Sequence, residues 1–276
     1  MKKLIATVLA LLCLCACAAP AGTGGVAATT APVYQFAAAI AEGTDVAAAQ
    51  VISDSVSCLH DYALSVRQME TLENSALVLV SGAGLEDFME DALRQTVTAD
   101  CSAGVILLKS DSGYDPHIWL DPDNAAVMAE NICSALSEQY PEHREDFARN
   151  AADLVQKLKD LKAWGKEELA GLSARGIVTF HDGFAYLADA FGLEILAAVE
   201  EEAGSEASAA DLTEIIGLVQ DHGLACVFTE KNGSDAAARV IAAETGCRIC
   251  ALDMAMDRDY FEAMTHNINT LKEALS

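Results

Sequence analysis

A chain of 276 residues with 52% hydrophobic side chains is long enough to bury a sizeable core, in one large domain or two lobes. Its 42 Asp and Glu against 17 Lys and Arg give a net charge of −25. That balance argues against nucleic acid and anionic lipid as direct partners and is compatible with drawing in cations.

The amino terminus sets the compartment. Lys2 and Lys3 form a positive n-region, and Leu4 to Leu14 an apolar h-region too short to span a bilayer. Leu14-Cys15-Ala16-Cys17 has the form of a bacterial lipobox, with Cys15 where a small residue is usual. Residues 1–16 are predicted to be a lipoprotein signal peptide and Cys17 the lipidated residue, with residues 17–25 a flexible tether.

Strands and helices then alternate. Val26 to Thr30 reads as a strand, Val33 to Ala41 as a helix, and Val51-Ile52 as part of a short strand. Ser65 to Gln68 has the form of a capping box opening a helix to about Glu73. Ala76 to Val80 is an apolar strand, Gly82 to Gly84 a tight turn, Leu85 to Leu93 a helix, and Gly104 to Leu108 the last strand of this half. Asn124 to Tyr140 is helical. After Pro141, apolar residues from Phe147 to Trp164 recur at three- and four-residue steps, as in a long amphipathic helix.

The second half repeats the pattern. Ile177–Phe180, Leu193–Val199, Leu224–Thr229 and Arg248–Leu252 read as strands. Phe184–Phe191, Ser208–Asp221, Ser234–Glu244 and Tyr260–Leu275 read as helices. The order predicts an α/β protein of two parallel-sheet lobes joined by one long rigid helix. The boundaries are 26–140 for the first lobe, 141–170 for the linking helix and 171–276 for the second lobe.

His60, His117, His181 and Asp253 each lie just beyond a predicted strand, two in each half. Ligands gather outside the carboxyl ends of strands in open α/β sheets, so these four side chains form a candidate site in the cleft between lobes. Imidazole and carboxylate donors suit Zn2+ in a four-coordinate shell. Glu230 also follows a strand and competes as the carboxylate donor. Beyond Cys17 the cysteines are Cys58, Cys101, Cys133, Cys226, Cys247 and Cys250. Export permits disulfides, but strand alternation turns Cys247 and Cys250 to opposite faces, so buried thiols are expected for most of the six.

Leu59-His60-Asp61-Tyr62, Gly82-Ala83-Gly84-Leu85-Glu86, Asp115 to Pro122 (DPHIWLDP) and Phe180-His181-Asp182-Gly183-Phe184 resemble, in order, the signatures of the metal-binding lipoproteins of zinc and manganese ABC transporters. Thr245-Gly246 and Leu252-Asp253 are similar to that family's carboxy-terminal ligand region. The resemblance implies two α/β lobes, a rigid linking helix and a metal held by His60, His117, His181 and Asp253; Glu230, by its place after a strand, is the competing carboxylate or an outer partner of the ligands. It implies an extracytoplasmic, membrane-anchored monomer that hands Zn2+, or Mn2+ or Fe2+, to a permease and its ATPase. The chain departs from the zinc members in its short, histidine-free segment Lys109 to Asp115. It has Met254 where the family usually has proline. Three imidazoles favour zinc over the harder manganese. The alternative from the residues is a zinc hydrolase, for which no HExxH stands in the chain; the resemblance also admits a surface adhesin, for which the sequence offers no repeat, aromatic stripe or apolar patch.

Overall fold

The computed structural model describes residues 24–52, 62–110, 113–200 and 207–276. The predicted signal peptide, the lipidation residue Cys17, most of the tether, Cys58 and the candidate ligand His60 lie outside the described residues.

The first lobe is a four-stranded parallel sheet in the order β2-β1-β3-β4, built from β1 (Val26–Ala28), β2 (Ala48–Gln50), β3 (Leu77–Val80) and β4 (Thr98–Asp100). Helix α1 (Ala31–Ile40) crosses from β1 to β2, and Pro32 suits its first turn because that N–H has no helical partner. Helix α2 (Val66–Asn74) opens with the expected capping box between Ser65 and Gln68. After β3 comes a 3-10 turn (Asp87–Met89) and the short helix α3 (Glu90–Leu93), where one continuous helix was expected.

Gly104 to Leu108 is not a strand, as the apolar run predicted. The edge strand is the polar Thr98–Asp100, ended by Asp100 Oδ1 accepting from the Ser102 N–H and O–H. The chain turns at Gly104 (φ 86°) and leaves Ile106 86% exposed. An apolar run therefore does not make a strand where the chain finds no neighbouring strand to pair with. An antiparallel hairpin follows, β5 (Lys109–Ser110) with β6 (Gly113–Tyr114).

Helix α4 (Pro122–Gln139) is capped by Asp121, and α5 (Arg144–Glu168) is the long linking helix, roughly 38 Å at 1.5 Å per residue. It packs against α1 and α4 of the first lobe and against α6 (Ala185–Phe191) and α9 (Tyr260–Leu275) of the second. The second sheet has the order β10-β9-β7-β8 and is parallel, from β7 (Gly176–His181), β8 (Glu194–Glu200), β9 (Cys226–Glu230) and β10 (Arg248–Leu252). Helices α7 (Ala209–His222) and α8 (Ala236–Thr245) complete it, the first with a capping box between Ser208 and Asp211. Among the described residues no helix is long and apolar enough to cross a membrane.

One apolar core runs through both lobes, from Phe36 through Trp119 and Leu158 to Phe184 and Tyr260. A smaller one, including Phe180, Ile215 and Ile241, is centred on the second sheet. Hydrogen bonds button the lobes together. Trp119 Nε1–H donates to the Met254 carbonyl at 2.8 Å, and the Tyr260 hydroxyl to the Trp119 carbonyl at 2.7 Å. Gln35 bridges to the Arg258 carbonyl and the Tyr260 N–H, both at 2.7 Å. A shared core of this kind resists hinge opening.

Cys226 and Cys250 form a disulfide, which corrects the expectation of thiols at those two positions. Alternation does separate Cys247 from Cys250. The register that pairs Arg248 with Cys226 and Cys250 with Phe228 instead puts Cys250 diagonally beside Cys226 on the neighbouring strand. Cys101, Cys133 and Cys247 are thiols.

Candidate metal centre

His181 ends β7, a strand buried along nearly its whole length. His117 leaves the β5–β6 hairpin through Asp115 and Pro116 and enters a 3-10 turn (Ile118–Leu120) whose three side chains are buried. The two imidazoles meet edge to face, with ring centroids 5.0 Å apart and Nε2 atoms 3.4 Å apart. Two donors at about 2.0–2.1 Å from a tetrahedral zinc stand about 3.3–3.4 Å from each other, so the pair has the bite of a zinc site.

Asp115 orients the first of these rings. Its Oδ1 accepts from the His117 backbone N–H at 2.9 Å and from ring Nδ1 at 2.7 Å. With the proton on Nδ1, the Nε2 lone pair faces His181. Asp115 is 1% exposed, so this orientation is built in. Gly183 packs directly on both rings, where the turn after β7 leaves no space for a side chain.

Glu230 ends β9 and pairs in register with Leu252, and Asp253 follows directly, so both carboxylates sit at the carboxyl edge of the second sheet. Both are buried, Asp253 more deeply. Asp253 Oδ2 lies 3.3 Å from Lys231 Nζ and 3.1 Å from Arg258 Nε. Its Oδ1 accepts from the Ala255 N–H. Among the described residues no three His, Cys, Asp or Glu side chains gather closely enough to hold a metal ion. The structure thus joins His117 to His181, while Asp253 is turned onto two cations.

The remaining histidines have other partners. His143 bonds Asp45 at 2.6 Å, His266 the Ala251 carbonyl at 3.0 Å, and His222 closes α7. Asp115 and Gly183 stand inside the sequence motifs that carry the two histidines, but neither the orienting role of Asp115 nor the packing role of Gly183 follows from the sequence alone. Lys231 and Arg258 carried no signal.

A second polar knot lies at the carboxyl edge of the first sheet. Buried Glu86 accepts from the Thr29 hydroxyl at 2.6 Å and from the N–H groups of Ser81 and Gly82 at 2.7 and 3.0 Å. Burial pushes its pKa up, against the lowering effect of those bonds.

The sequence matches the family described as zinc-uptake complex component A, periplasmic (ZnuA), over residues 26–274. It is 30% identical over 205 residues to the zinc-binding protein AdcA of Streptococcus pyogenes, covering 71% of this chain and 39% of that one. It is 28% identical over 281 residues to the zinc-binding lipoprotein AdcA of Streptococcus pneumoniae, covering 91% and 56%. The chain therefore spans about half or less of the length of these two relatives. A crystal structure of ZnuA superposes with a TM-score of 0.85 at 24% identity, covering 92% of this chain and 99% of that one.

Proposed function

Because the chain belongs to the ZnuA family, whose members are metal-binding components of ABC transporters and not enzymes, we propose that it captures Zn2+ outside the cytoplasm and delivers it to a permease for import. The observation that carries this reading is the 3.4 Å between the Nε2 atoms of His117 and His181, the bite of a tetrahedral zinc, with Asp115 holding one ring in the ligating tautomer.

The proposed shell is His60, His117, His181 and Asp253, with Glu230 as an outer partner or the alternative carboxylate. Three neutral imidazoles favour zinc over manganese, which prefers oxygen donors. The zinc-binding names of the AdcA relatives support the same choice. The lobes are 26–140 and 171–276, linked by 141–170. Their continuous core supports a small, local motion at the site over a wide hinge. The chain acts as a monomer, held at the membrane by lipid on Cys17 through the tether that follows. The lipoprotein name of the pneumococcal relative supports that anchor.

Calorimetric titration of the metal-stripped protein tests the reading. One zinc ion per chain, bound more tightly than manganese, is the expected result. An absence of saturable zinc binding, or tighter manganese binding, overturns it.

A further inference from the structure

The side chain of Asp253 is held by the Ala255 N–H on Oδ1 and by two cations on Oδ2, and its backbone is fixed separately. Its backbone N–H donates to Asn267 Oδ1 at 2.7 Å, and its carbonyl accepts from Asn267 Nδ2 at 2.8 Å. Asn267 is wholly buried on α9, so the backbone is pinned from both sides. The carboxylate is 2% exposed, yet the two cations on its Oδ2 are at the rim, Lys231 at 30% and Arg258 at 33%. Lys231 directly follows Glu230, and its Nζ is already 3.7 Å from a second acceptor, Asp257 Oδ1.

We infer that Lys231 and Arg258 form a cationic clasp on Asp253 that an incoming metal ion must displace, so that these two residues set the affinity of the site. The inference rests on the reading in which Asp253 is a ligand. Oδ1 already accepts from the Ala255 N–H, which leaves Oδ2 for the metal, and an Oδ2 that bonds a divalent ion at about 2.0–2.2 Å cannot keep an ammonium and a guanidinium at contact as well, because like charges would then face each other across one atom. Ligation therefore costs an ion pair. Asp257 takes up the displaced ammonium, and a short rotation about the Lys231 side chain completes the exchange. A singly charged ion gains about half the Coulomb energy of a divalent one at the same distance, so it repays the lost pair poorly. The displaced cations remain beside the occupied site and favour release when a permease draws the lobes' rim away.

Chelator-competition titrations with zinc test this on the mature protein carrying Lys231→Met, Lys231→Gln, Lys231→Arg, Asp253→Asn, and Lys231→Met with Asp253→Asn together. Loss of a partly exposed ion-pair partner should tighten zinc binding roughly two- to ten-fold in Lys231→Met and Lys231→Gln. Lys231→Arg should restore the parent affinity. The tightening should vanish in the Asp253→Asn background, where no carboxylate remains to be freed. A merely structural lysine would weaken binding in both backgrounds. If the parent binds zinc and Asp253→Asn weakens it, but Lys231→Met is unchanged or weaker, the clasp is wrong and the ligand reading stands. If Asp253→Asn binds as tightly as the parent, the carboxylate reading and the clasp fall together.

Discussion

Gly183 is packed on His181 so closely that a Cβ at position 183 would stand 2.4 Å from the His181 Nε2, and 2.9 Å from the Cε1 of His117. Gly183 is not among the residues with positive φ, so its backbone would accept alanine; the space would not. Gly183→Ala should therefore fold normally, push the imidazoles off their bite, and weaken zinc binding by at least about ten-fold, the lower end of what changes around a metal ligand cost. Circular dichroism with competition titration checks both halves. Parent-like affinity in a folded Gly183→Ala protein would remove these rings from the metal site.

Asp115→Asn keeps the size of the side chain and removes its charge. The bond to His117 Nδ1 weakens and the ligating tautomer is no longer enforced, so zinc affinity should fall about 10- to 100-fold. His117→Ala and His181→Ala should each cost more than that, because a ligand itself is lost. His143→Ala, His222→Ala and His266→Ala should cost little, since these side chains are engaged elsewhere or close a helix. A His266→Ala loss equal to that of His181→Ala would contradict this assignment of the site.

Much of this was legible in the sequence because the signals were local. The capping box at Ser65 is legible in four residues, and β10 and α9 fall at their predicted bounds. His181 is legible from its place at the end of β7, whereas the strand expected before His117, Gly104 to Leu108, is absent, and His117 reaches His181 from the β5–β6 hairpin. What failed was what depends on a neighbour in space. The polar edge strand Thr98–Asp100 has no apolar pattern, since it is defined by pairing with β3. The Cys226–Cys250 bridge depends on register between strands some twenty residues apart in sequence. Lys231 bears on Asp253 because the loops after β9 and β10 lie side by side, and Arg258 because the second of these loops folds back on itself, facts no spacing encodes.

Glu86 predicts a pH effect of definite sign. Its pKa is raised from the ordinary 4.5, chiefly by burial, so the folded protein holds this proton more tightly than the unfolded chain. The stabilisation from that proton is full below 4.5 and is lost as pH rises through the folded value. Glu86→Gln removes the titration but sets an amide donor against one of the N–H groups of Ser81 and Gly82. It should therefore be less stable by about 1–3 kcal/mol, with the gap narrowing as pH rises from 4.5. Urea unfolding at a series of pH values reads this. A gap that widens with pH would show the carboxyl to be held ionised in the fold.

Lys162 ties the linking helix to the segment that carries His117. It is a buried lysine on α5, and its Nζ lies 2.5 Å from Asp121 Oδ1 and 3.2 Å from Asp123 Oδ2. It also stands 5.7 Å from the centroid of Phe191, a second-lobe side chain on α6. Asp121 accepts from the Asp123 N–H to cap α4, and it stands within the DPHIWLDP segment four residues after His117. Lys162→Met keeps the volume and the contact with Phe191 but strands a largely buried carboxylate. Removing one partner of a buried pair costs about 3–5 kcal/mol, whereas replacing both costs far less. Lys162→Met should therefore destabilise by about 3 kcal/mol, and adding Asp121→Asn should recover a large part of the loss, because Asn still caps the helix. Zinc affinity should fall less than in His117→Ala, since the ring keeps Asp115. Denaturant unfolding of the single and double variants gives the coupling. Additive losses would mean that the pair is held by its surroundings and does not itself fasten the linking helix to the site.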